Sequence, residues 1–131
     1  FNASQSEPVH FLQIWIMPGK RALAPGYEQK PFPNAEKSNR LRLVASPDGA
    51  DGSLTIHQDA RVYAGVLDTE KEVSHAIGPG RIAFAQVARG SITLNGEALE
   101  QGDGAAIEDV ENLRIAASGG EAEVIVFDMI R

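Results

Sequence analysis

Cysteine is absent from the sequence, so the chain has no disulfide framework, no thiolate nucleophile and no sulfur-ligated zinc. An excess of positive charge is missing too: 12 Lys and Arg stand against 18 Asp and Glu, for a net charge of −6. A nucleic-acid footprint needs clustered cations to neutralise phosphates, so this balance argues against direct nucleic-acid binding. No apolar run approaches the roughly 18 residues of a membrane span. The longest, Phe11 to Met17, is already interrupted by Gln13. Signal-peptide features are lacking, and the expected location is the cytoplasm. Helical periodicity is nearly absent, which points away from a helical fold.

What remains is a chain of one domain's length, 131 residues with 43% hydrophobic content, enough for a real core. It opens Phe1-Asn2-Ala3-Ser4 without an initiator methionine, as a fragment or a processed chain does. Val9 to Met17 is apolar on both parities, with Val9, Phe11, Trp15 and Met17 on one and Leu12, Ile14 and Ile16 on the other. That pattern predicts a strand covered on both faces. Pro18 to Asn39 holds four of the seven prolines and reads as a long connection between two units.

From Arg40 onward short apolar runs alternate with turn residues. Strands are expected at Leu41–Val44, Ser53–Asp59, Arg61–Leu67, Glu72–Ile77, Ile82–Ala88, Ser91–Leu94, Ala105–Ile107, Leu113–Ala117 and Glu123–Met129. The Asn95-Gly96 pair is a two-residue hairpin signal. Gln101-Gly102-Asp103-Gly104 is a second tight turn, in which Asp103 is expected to bond its own backbone. In Arg61–Leu67 the alternation sets Val62, Ala64 and Val66 opposite Arg61 and Tyr63, and Asp109–Asn112 is the one place for a helical turn. About nine or ten strands at this spacing make a sandwich or barrel.

The three histidines, His10, His57 and His75, lie on separate segments with no His-x-His pair and no His-Glu-x-x-His helix, so they assemble no metal site. His57 shares its parity with Thr55 and Asp59 and is expected at the surface. His75 lies with Val73 and Ile77, and His10 with Leu12 and Ile14; both suit hydrogen-bonded core residues better than ligands. A metal-free acid–base site from His75, Tyr63, His57, Asp59 and Arg61 in a barrel mouth is the chemical alternative. The Gly78-Pro79-Gly80 and Gly102-Asp103-Gly104 turns precede neither a helix nor a lysine and are not phosphate loops.

Two stretches carry a resemblance. Glu7-Pro8-Val9-His10-Phe11-Leu12-Gln13-Ile14-Trp15-Ile16, running on to Pro18, resembles the segment that ends the first cupin of bacterial pirins, proteins often described as quercetin 2,3-dioxygenases. Leu54 to Ala60 followed by Val62-Tyr63 is similar to the strand pair that opens the second pirin cupin, and Gly96 to Ile107 resembles the second half of a cupin barrel. The resemblance implies an all-β cupin-type double-stranded β-helix, a jelly-roll-like barrel. Residues 1–17 would be a strand from the end of the first cupin, residues 18–39 the Pro-rich connection, and residues 40–131 the carboxy-terminal cupin barrel. Pirins bind iron in the amino-terminal cupin through three histidines and a glutamate, the last in a His-Ser-Glu triplet before a Phe-Asn pair. With Phe1-Asn2 at the start, every family ligand falls upstream, and no cofactor is expected in this chain. The implied role is a non-catalytic domain supporting that metal-binding cupin, whose parent is a flavonol dioxygenase or a regulator. The alternative is a stand-alone cupin that binds a small organic ligand or does metal-free acid–base chemistry. The expected partner is the amino-terminal cupin or a second copy, reached through residues 9–17 and giving a dimer or larger assembly.

Overall fold

The computed structural model describes residues 3–131, so Phe1 and Asn2, which carry the Phe-Asn match, lie outside the described residues. Ten strands follow one another: β1 (Arg42–Ser46), β2 (Leu54–Thr55), β3 (Ala60–Leu67), β4 (Glu72–Ala76), β5 (Arg81–Arg89), β6 (Ser91–Leu94), β7 (Glu97–Glu100), β8 (Gly104–Ile107), β9 (Asn112–Ala117) and β10 (Ala122–Ile130). They form a six-stranded sheet in the order β2-β1-β3-β10-β5-β8 and a four-stranded sheet in the order β4-β9-β6-β7. Valine, isoleucine and alanine dominate the facing positions, where branched and small side chains fit a pleated, half-buried surface.

Leu67, Val73, Val87, Ile92, Leu113, Ile115, Val124 and Val126 form the centre of the core between the sheets. Both turn expectations hold locally. Asn95 and Gly96 take φ of 47° and 86° between β6 and β7, the positive angles a two-residue hairpin demands. The Asp103 carboxylate accepts the Glu100 amide at 2.9 Å.

Several expectations are corrected. Val9 to Met17 joins no ladder among the described residues; Leu12 to Trp15 lie beside Phe84, Phe127 and Met129 on the outer face of the six-stranded sheet. A segment lying on a sheet's face has no strand edge within reach of its backbone, so no ladder forms. The expected strand Ser53–Asp59 contracts to Leu54–Thr55. Beyond it the backbone serves the connection instead, with the His57 carbonyl accepting the Gly19 amide at 2.6 Å. Asp109 to Glu111 is irregular and not helical; Asp109 takes a left-handed φ of 58°, which breaks a helical turn. The one α-helical turn among the described residues is α1 (Asn34–Lys37), inside the proline-rich connection.

On β3 the alternation holds, with Val62 and Ala64 opposite Tyr63, and the structure names the inner face. Tyr63 packs against the inter-sheet core, while Val62 and Ala64, both buried, pair with Phe127 and Ile125 of β10 and point to the other face. Both faces of this sheet are therefore apolar, and alternation alone cannot name the inner one.

Candidate functional site

Along β10 the core-facing residues are Ala122, Val124, Val126 and then Asp128, which is only 5% exposed. A carboxylate so placed costs several kcal/mol unless it is paired and hydrogen-bonded. Two neighbouring elements supply partners. Arg81, the first residue of β5, donates from Nε to Asp128 Oδ1 and from Nη2 to the Asp128 carbonyl at 3.2 Å. His75 on β4 places Nε2 2.7 Å from Asp128 Oδ2. The Tyr63 ring lies against the His75 ring with centroids 4.7 Å apart. Arg81 Nη1 extends the chain outward to Asp59 Oδ1 at 2.9 Å.

The electrostatics follow from this geometry. Burial pushes the Tyr63 phenol above its ordinary range, and the Asp128 charge pushes the same way. Burial alone would lower Arg81, but the hydrogen bonds to Asp128 and Asp59 outweigh it and hold the guanidinium above its ordinary range. Asp128 is thus neutralised by a fixed cation, and the His75 edge that faces it is engaged.

Of the residues singled out from sequence, His75 and Tyr63 come together, and Asp59 joins them at one remove through Arg81. His57 does not. It is exposed and lines a separate depression of about 380 Å³ with Gly19, Lys20, Leu23 and Pro47. His10 is exposed as well, its Nδ1 accepting from Arg89 Nε at 3.1 Å. Tyr63 also lines an open cavity of about 450 Å³ with Leu41, Leu43 and Arg42.

The sequence pattern does not single out Asp128 or Arg81. A signal for Asp128 existed: it stands at the even spacing of Val124 and Val126, a lone acid on an apolar parity. For Arg81, which directly follows a Gly-Pro-Gly turn, nothing local marks a buried role.

Among the described residues no group of three or more His, Cys, Asp or Glu is placed to hold a metal ion. The iron site of the resembling family therefore does not fit the residues present. One imidazole reaches the interior cluster, and its Nε2 and the adjacent carboxylate bond each other.

A mostly β, cupin-like fold of two sheets with no metal cluster among the described residues defines the class of domain. Comparisons with known proteins agree. The family described as the quercetinase C-terminal cupin domain matches residues 43–129. A quercetin 2,3-dioxygenase of Escherichia coli K12 is 38% identical over 129 residues, covering 98% of this chain and 54% of its own length. A pirin-like protein of Caulobacter vibrioides is 34% identical over 126 residues, 95% of this chain and 53% of its own. Among solved structures, YhhW from Escherichia coli superposes with a TM-score of 0.82 at 37% identity, over 88% of this chain and 47% of that one. The nickel(II) complex of the same bacterial pirin gives 0.81 at 37% identity, over 88% and 48%. The chain belongs to the family of C-terminal cupin domains of bacterial pirins and quercetin 2,3-dioxygenases. It spans about half the length of the curated relatives it matches.

Proposed function

We propose that this chain is a non-catalytic cupin unit, closed into a barrel, that supports a metal-binding cupin elsewhere in a longer pirin-like protein. The observation that carries the reading is the interior cluster. Where a metal-binding cupin converges several ligands, this unit has one histidine, bonded to Asp128, and a carboxylate neutralised by Arg81. Oxygen activation needs a redox metal with open coordination positions, and these groups offer none. In this reading iron is held by the amino-terminal cupin, and the whole protein is a flavonol dioxygenase or a regulator; the names of the relatives favour the former. The unit packs against that cupin or a second copy, and residues 9–17 supply the surface.

A second reading, small-ligand binding or metal-free acid–base chemistry by His75 and Tyr63, is favoured by the His75–Asp128 pair. A carboxylate that orients an imidazole is how a general base is held. The proposal is tested by oxygen uptake of this chain with quercetin and ferrous iron. No uptake above an iron-in-buffer control is expected. Turnover that requires the protein would overturn the proposal.

A further inference from the structure

Arg61 stands directly opposite Asp128 in the β3–β10 ladder, and residues so paired project from the same face of a sheet. Tyr63, two positions along β3, shares that face. Yet Asp128 bonds Arg81 and His75. Arg61, though partly buried, forms neither an ion pair nor a side-chain hydrogen bond among the described residues. The Tyr63 hydroxyl forms no hydrogen bond among them either. Burial and the Asp128 charge raise the phenol, while Arg61 acts to lower it, so the cation lies within electrostatic reach of the hydroxyl. The raised phenol keeps its proton at neutral pH and is a donor. Its ring is held in place by the His75 ring at 4.7 Å.

A guanidinium drawn part-way out of water without a counter-ion is unfavourable, and the partner that suits its planar fork is a carboxylate or a phosphate. The cavity beside Tyr63 decides between them. Its volume of about 450 Å³ suits a small molecule, and Leu41, Leu43 and the Tyr63 ring give it apolar walls. Asp51 and Glu36 stand at its rim, and the whole chain carries −6, so a multiply charged anion meets repulsion there. Arg42, also at the rim, is already engaged with the Leu43 carbonyl at 2.6 Å. From this arrangement we infer that the unit binds a small monocarboxylic acid with an apolar body. Arg61 pairs with the carboxylate, the Tyr63 O–H donates to it, and Leu41 and Leu43 cover the body. The inference rests on the small-ligand reading of this cluster and deepens it by naming the ligand class.

The test is an amide NMR titration of this chain with benzoate and with benzamide, its neutral isostere, at neutral pH and constant ionic strength. Benzoate should saturably shift residues 41–43 and 61–63, with a dissociation constant on the order of 1 mM. Benzamide should bind about tenfold more weakly or less. Arg61→Gln should weaken benzoate by about tenfold and leave benzamide unchanged, and Arg61→Lys should recover part of the loss. Tyr63→Phe should weaken benzoate by roughly severalfold. Arg114→Gln, an exposed change on β9 of the other sheet, should have no effect. Because Arg61 has no partner to lose, unliganded Arg61→Gln should melt within about 1 °C of the parent. Benzamide bound as tightly as benzoate, or benzoate binding untouched by Arg61→Gln, would overturn the inference and leave the small-ligand reading standing. Binding of neither probe would contradict both.

Discussion

Asp128 is the residue on which the interior depends, because it joins both sheets: His75 reaches it from β4, and Arg81 from the start of β5. Asp128→Asn keeps the shape but removes the charge that compensates the mostly buried Arg81 guanidinium. The expected cost is about 3–5 kcal/mol in urea unfolding, the range for breaking one side of a buried pair. Asp109→Asn, which loosens an equally direct but exposed bond to Arg131, should leave stability unchanged within error. Tyr63 supplies the pH dependence. Its folded phenol titrates above the ordinary value of 10.0, so between that value and the folded one the native state holds a proton the unfolded chain has lost. Stability is therefore fully present below pH 10 and falls as pH rises through the folded value. Tyr63→Phe should remove that slope, read by denaturant unfolding at stepped alkaline pH. A slope unchanged in Tyr63→Phe would place its source elsewhere.

Among the elements, turns carried the most legible information. The Asn95-Gly96 hairpin, the Asp103 turn and the ends of β5, β6, β9 and β10 all fall within a residue or so of where Gly, Asn and Asp punctuate the sequence. Gly90, between β5 and β6, shows why such positions are rigid. It takes a φ of 74°, and a Cβ there would collide with the Glu121 carbonyl oxygen and crowd Ala122. Gly90→Ala should cost about 2 kcal/mol or more, from left-handed strain and displaced backbone together. A melting temperature equal to that of the parent would contradict this. Less was legible where the context is tertiary. Val9 to Met17 has a strand's composition, but pairing depends on an edge that local sequence does not name. The inner face of β3 was ambiguous because Val62 and Ala64 are buried on the outer side. In the site, His75 and Tyr63 were visible as an imidazole on an apolar parity and a nearby phenol. Their link through Asp128 joins residues 53 positions apart, and no local pattern encodes such a distance.

At the scale of the molecule the account is a division of labour. The interior is filled and its one polar cluster is internally satisfied, with no buried side-chain donor or acceptor left without a partner among the described residues. The exterior of the six-stranded sheet, by contrast, carries an apolar segment whose larger side chains face solvent. In the proposed reading such a unit contributes packing surface, and metal chemistry belongs to another site. The direct test is elemental analysis of the purified chain after incubation with ferrous iron or nickel(II) and removal of free metal. The account predicts far less than one metal per chain, with no difference between the parent and His75→Ala. One equivalent of bound metal, lost in His75→Ala, would contradict it.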